Sequence, residues 1–237
     1  MTAQRQRDML ERIEGQLVVS CQAYPGEPMR SPAIMAAVAL AVVQGGAKAV
    51  RAQGIEDLRA IRPLVDVPLI GLVKRGSDGV FITPTVQDAL DCVTAGADMV
   101  ALDGTLRDRP DGRPLCESIE AIHRAGALVM ADCGSLRDAE YSLEAGADCV
   151  GTTLAGYTGE RPVTLGPDLE LLELLVTSVD LPVIAEGRVR NPEDAAACLA
   201  AGAHAVVVGT AITHPTRITK AFVERLRTPT GTTANPV

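Results

Sequence analysis

The stretch AGADMVALD at residues 95–103 has three near-copies in the same chain: GGAKAVRA (45–52), AGADCVGTT (145–153) and AGAHAVVVG (201–209). Gly46, Gly96, Gly146 and Gly202 hold the same place in each and are 50, 50 and 56 residues apart. Each glycine closes a helical pattern and is followed within a few residues by an apolar run, the signature of a helix C-cap turning into a strand. Midway between these units lie PLIGLVK (68–74), ALVMADC (127–133) and LPVIAEG (181–187), and VDVPLIG (65–71) and VDLPVIA (179–185) are close variants of one phrase. With LVVSCQ (17–22) the chain offers eight short strands, each followed by a helical pattern. The helix starts are marked by Ser31-Pro32 and by capping boxes at Ser135/Asp138 and Asn191/Asp194. Apolar positions recur with helical period, as in Ile34, Val38 and Val42, or Leu169, Leu172 and Val176.

Eight βα units predict a (β/α)8 barrel, of the TIM-barrel class, over residues 1–228. The alternative for alternating elements, a doubly wound sheet, stops at about five or six strands. The amino-terminal stretch TAQRQRDMLERIEG is expected to be a capping helix, and residues 229–237 a disordered tail.

Composition removes several function classes. A net charge of −8 argues against a broad surface for a nucleic-acid backbone, and two Phe, three Tyr and no Trp leave little for base stacking. A small phosphorylated ligand stays open, because backbone N–H groups can hold it. No apolar run approaches the roughly 20 residues of a membrane span. The six cysteines show no Cys-x-x-Cys spacing and read as reduced thiols of a cytoplasmic protein. None of the three histidines stands at a strand end, and no His/Asp/Cys grouping has metal spacing, so no metal is expected.

In this barrel class the active site forms where strands hand over to their following loops. Those positions carry Cys21-Gln22, Arg51, Lys74-Arg75, Asp103, Asp132-Cys133, Thr152-Thr153, Glu186-Gly187-Arg188 and Gly209-Thr210. Lys74, Asp132 and Glu186 follow strongly apolar runs, and Lys74 and Glu186 would be tuned by desolvation or paired with each other. Arg51 and Asp103 could equally be salt-bridged at the mouth, and Cys21 and Cys133 read as small apolar fillers. Gly187, Gly209 and Thr210, after the seventh and eighth strands, are the expected phosphate cradle, with Arg188 adding charge. A lysine, a carboxylate and a phosphate cradle suit proton transfer beside the carbonyl of a phosphorylated sugar. The same lysine could form a Schiff base, so an aldolase fits these residues too, as do a sugar-phosphate isomerase and a phosphoribosyl-ligand lyase.

The blocks VSCQAYPGEPM, IGLVKR, VFITPT, VALDGT, ADCGSL, VGTTLAGYT, PVIAEGRV and AVVVGTAITHP, taken in order, resemble the bacterial N-acylglucosamine-6-phosphate 2-epimerase family from about residue 15 to about 227. The resemblance implies C2 epimerisation of N-acetylmannosamine 6-phosphate to N-acetylglucosamine 6-phosphate in amino-sugar catabolism, with no organic cofactor. It puts the family's catalytic lysine on Lys74 and its carboxylate on Glu186. Substrate contacts fall on Gln22, Arg51 and Asp132, with Tyr157 close by. The phosphate falls on backbone around Gly187 and Gly209. The chain departs from the family pattern at Gly104 and Gly134, which are expected to add backbone freedom near Asp103 and Asp132. A homodimer through the amino-terminal helix or exposed apolar helix faces is a further expectation.

Overall fold

The computed structural model describes residues 3–227, with side chains from Asp8 onward, so the expected tail at 229–237 lies outside the described residues. All eight strands form: β1 (Gln16–Cys21), β2 (Ala49–Gln53), β3 (Leu69–Leu72), β4 (Met99–Asp103), β5 (Leu128–Asp132), β6 (Cys149–Gly151), β7 (Val183–Glu186) and β8 (Ala205–Val208). They pair in chain order, every pair parallel, and β8 closes on β1. The helices are α1 (Ala3–Ile13), α2 (Pro32–Gln44), α3 (Ile55–Ile61), α4 (Val86–Thr94), α5 (Leu115–Ala125), α6 (Leu136–Ala145), α7 (Leu169–Ser178), α8 (Pro192–Ala200), α9 (Thr210–Thr213) and α10 (Pro215–Arg227).

Alternation along each strand sorts the apolar side chains into two layers. Val18, Ile70, Met99, Leu128, Met130 and Ile184 fill the barrel's interior, while Val19, Leu69, Val100, Val129, Val150 and Val183 face the helices. Met9 and Ile13 of α1 are buried in the interior cluster, so α1 plugs the end of the barrel where the strands begin. His204 Nε2–H donates to the carbonyl of Leu10 at 2.9 Å and fastens that plug. The capping-helix expectation holds, and the opposite end is left open.

The predicted caps form with one difference. Ser135 Oγ and Asn191 Oδ1 accept from the N–H of Asp138 and Asp194 at 3.2 and 2.7 Å. The two aspartates reach back to the N–H of Gly134 and Arg190, one residue before the cap, rather than to the cap itself. Ser31 makes no side-chain cap, and Pro32 alone marks the start of α2.

Gly104 and Gly134 do not provide the expected freedom. Neither is in the left-handed region, and the space of a Cβ at Gly104 is taken by Ser142 Oγ at 2.6 Å and Ala131 Cβ at 2.8 Å. At Gly134 it is taken by Thr158 Oγ1 at 2.5 Å and the Leu154 carbonyl at 3.0 Å. Both glycines are packing positions and neither lines the open end of the barrel.

Candidate active site

Lys74 lies two residues beyond β3, and the chain builds a separate seat for it. Its backbone forms an antiparallel bridge with Ile82, Thr83 N–H donates to Val73 O at 2.6 Å, and Arg75 N–H donates to Phe81 O at 3.0 Å. Thr83 is fully buried with φ of 43°, a conformation that costs a non-glycine residue on the order of 1–3 kcal/mol. The surroundings over-determine it. Thr83 Oγ1 donates to Ala101 O at 2.6 Å and accepts from Val73 N–H at 3.2 Å, and buried Arg109 donates to the carbonyls of Thr83 and Asp103 at 2.7 and 2.9 Å.

Arg51 is 2% exposed and spans the interior, donating to Asp132 Oδ2 and to Glu186 Oε1. The carboxylate that Lys74 was expected to pair with is therefore held by Arg51 instead. Lys74 Nζ donates to Gln22 Oε1 at 2.9 Å, and Gln22 Nε2 donates to Ser20 Oγ at 2.6 Å. Desolvation, then repulsion from Arg51, pulls the Lys74 ammonium down to about 8, against the attraction of Glu186 and Asp132. Burial, with the charge of Glu186, pushes the Asp132 carboxyl up, opposed by Arg51 and by Thr153 Oγ1, which donates to Asp132 Oδ1 at 2.6 Å.

Asp132 and Thr153 can meet because Gly151 lies between them. A Cβ there would come within 2.5 Å of Met130 Cε, 3.2 Å of Thr153 Oγ1 and 3.4 Å of Asp132 Oδ1. Thr152 serves the neighbouring carboxylate: its Oγ1 accepts from Glu186 N–H and donates to Glu186 O at 3.0 and 2.9 Å. Two buried polar atoms of this network, Arg51 Nε and Glu186 Oε2, have no protein partner.

These groups line a cavity of about 1050 Å³ at the open end of the barrel. Gln22, Arg51, Lys74, Tyr157, Glu186, Gly187, Arg188, Gly209 and Thr210 all reach it. Asp132 sits beneath its floor, and Asp103 is turned away into contacts with Thr105 and Arg107. Gly187 (φ 111°) and Arg188 (φ 56°) turn the chain sharply after β7. The Arg188 guanidinium donates to Ala155 O at 2.8 Å and to Thr164 Oγ1 and Gly166 O at 3.1 Å, with Tyr157 stacked on it at 5.5 Å. It straps the β6–α7 loop and does not stretch over the mouth. Gly209 starts α9, whose Thr213 Oγ1 donates to Ser20 O at 2.9 Å and ties that helix over β1.

Several wall residues were not singled out from the sequence. Thr153 was read only as a strand-end residue, and Tyr24, His214 and Arg217 were not read as part of the site. His214 is 5% exposed and stacks on Tyr24 with ring centres 5.2 Å apart. The signal was available in part: GTAITHP places His214 one short turn beyond β8.

The family model described as "Putative N-acetylmannosamine-6-phosphate epimerase" matches residues 35–228. A Cutibacterium acnes protein named "Putative N-acetylmannosamine-6-phosphate 2-epimerase" is 56% identical over 222 residues, covering 92% of this chain and 97% of that protein. One of the same name from Clostridioides difficile is 44% identical, covering 92% and 99%. The solved structure of the N-acetylmannosamine-6-phosphate 2-epimerase from Clostridium perfringens superposes with a TM-score of 0.89 at 43% identity, over 92% of this chain and 96% of that one. Thiamine phosphate pyrophosphorylase from Pyrococcus furiosus, at 21% identity and a TM-score of 0.60, shares the fold.

Proposed function

The chain belongs to the N-acetylmannosamine-6-phosphate epimerase family, and from that premise we propose that it inverts C2 of N-acetylmannosamine 6-phosphate to give N-acetylglucosamine 6-phosphate, with Lys74 and Glu186 as its proton-transfer groups. The observation that carries the reading is the pairing of a lysine held near neutrality with a carboxylate whose second oxygen is unpartnered, both in the wall of one cavity.

The chemistry follows from the substrate. C2–H is acidic only beside an aldehyde, so the pyranose ring must open first: the O1 proton is lost and O5 gains one. Glu186 Oε2, fixed by the grip of Arg51 on Oε1, is the group for that transfer. Neutral Lys74 then takes the C2 proton, leaving a planar enediolate, and protonation of the opposite face gives the epimer. Gln22, which already accepts from Lys74, places its amide beside the reacting carbonyl. Arg51 has its guanidinium committed to Asp132 and Glu186, so its part is to hold the two carboxylates and lower the pKa of Lys74. Asp132 acts from beneath through Arg51.

The phosphate lies at Gly187, Gly209 and Thr210, where backbone approaches the cavity without intervening side chains. Arg188 and Tyr157 shape that end by fixing the loop before α7. The chain works as a homodimer through α10, none of whose residues is buried and which exposes Phe222 and Leu226. Among the described residues no helix is long and apolar enough to cross a membrane, and the working compartment is the cytoplasm.

Proton NMR of the protein with N-acetylglucosamine 6-phosphate in D₂O tests the reaction. Loss of the C2 signal together with appearance of the manno epimer is expected, and both should disappear in Lys74→Met. Retention of the C2 proton with no epimer would refute the reading. Trapping of a covalent adduct on Lys74 by borohydride would point to an aldolase.

A further inference from the structure

The proton-transfer scheme leaves one part of the cavity wall unused. Tyr24, in the loop after β1, presents its ring to three cationic or cation-forming side chains. Lys74 Nζ lies 5.3 Å from the ring centre, Arg217 Cζ of α10 lies 5.9 Å from it, and the His214 ring lies 5.2 Å away at 36°. Glu27 fixes the loop. Its Oε2 accepts from Tyr24 N–H at 2.7 Å, its own N–H donates to Tyr24 O at 3.0 Å, and its Oε1 faces His214 Nδ1 at 3.6 Å. The turn is thus closed on itself and tied to the junction of α9 and α10.

We infer that Tyr24 is a positioning residue for Lys74: its ring face holds the ammonium group beside Gln22, and the Glu27–His214 contact holds the ring. A cation within about 6 Å of an aromatic centre is attracted by the ring quadrupole, more strongly where water is excluded. Lys74 is part-buried and makes one hydrogen bond, to Gln22 Oε1, so two of its three donors are left to be steered by the ring and by bound substrate. The groups that face it from other elements are Arg51 on β2, Asp132 on β5 and Glu186 on β7, and exchange of Tyr24 touches none of their mutual contacts. The catalytic meaning of the contact rests on the proposed role of Lys74, but the contact itself does not.

The chain has three lysines, Lys48, Lys74 and Lys220, which makes the test direct. Protein labelled with ¹³C at lysine Cε gives three signals, the Lys74 signal being the one missing from Lys74→Arg. Following them by NMR from pH 7 to 11 reads the Lys74 titration without any assay of activity. In Tyr24→Leu, loss of the attraction to the charged form should move that titration downward by about half a unit to one unit. Tyr24→Phe keeps the ring face and should titrate as the parent does. The acid limb of kcat/KM should shift with the NMR value in Leu and stay in place in Phe. An unchanged titration in Leu, or an equal shift in Leu and Phe, would overturn the inference. An upward shift in Leu would overturn it too, because the ring would then act only by keeping water out. If the protein shows no C2 exchange at all, the epimerase reading fails while the titration still decides the role of Tyr24.

Discussion

In Lys74→Met the side-chain stem and most of its packing survive while the ammonium group is lost, and folding and function are expected to move in opposite directions. The lysine is pulled from an ordinary 10.5 to about 8 in the folded protein. That gap of about 2.5 units corresponds to about 3 kcal/mol by which the native environment disfavours the charged form at neutral pH. Methionine removes this penalty but also forfeits the hydrogen bond to Gln22, worth about 1 kcal/mol net. The variant should therefore be more stable than its parent by about 2 kcal/mol at pH 7, or about 4–8 °C in Tm for a domain of this size, while C2 exchange is abolished. The sign reverses with pH in a defined window. Because the folded value lies below the unfolded one, the penalty is complete below pH 8 and fades as pH rises from about 8 to about 10.5. Urea unfolding followed by circular dichroism at pH 7 and pH 10 measures both quantities. A variant no more stable than the parent at pH 7, or a difference equal at the two pH values, would refute the claim that Lys74 is held in a desolvated seat.

The other predictions concern the parts around that lysine. The acid limb of kcat/KM should lie near pH 8, because a base must be neutral to take the C2 proton; a pH–rate profile with its limb in the ordinary carboxylate range would assign the base elsewhere. Gly151→Ala should cost about 1–3 kcal/mol by overpacking against Met130 and should lower kcat by displacing the Thr153–Asp132 contact; paired denaturation and rate measurements test it, and unchanged kcat would sever Thr153 from catalysis. Gly104→Ala should lose similar stability, since Ser142 and Ala131 occupy its space, yet leave KM unchanged because the site lies outside the cavity.

The fold was legible because its signals repeat. A helix-ending glycine before an apolar run, written four times, predicts strands that the structure places at Ala49–Gln53, Met99–Asp103, Cys149–Gly151 and Ala205–Val208. The rule that active groups stand at strand ends located Lys74, Glu186 and Arg51 at the open mouth. It could not separate inward from outward neighbours without the register. Alternation does so: Ile70 and Leu72 belong to the interior, so Lys74 follows them inward, whereas Cys21 and Cys133 belong to the outer layer, where burial pushes the Cys21 thiol up to about 12.

What stayed illegible was partner choice, which depends on distances across the barrel between residues far apart in sequence. Lys74 and Glu186 looked like a natural pair, yet Arg51 is the long cation whose planar fork can reach carboxylates on β5 and β7 at once. That choice decides the chemistry. Had Lys74 taken Glu186, both groups would be fixed in their charged forms and neither could exchange a proton near neutral pH. Because Arg51 binds one oxygen of Glu186 and leaves the other unpartnered, the carboxylate is oriented without being used up. The same guanidinium, as a positive neighbour, presses Lys74 toward its neutral form. One buried arginine thus sets the state of both proton-transfer groups from a position where it need not touch the reacting carbon.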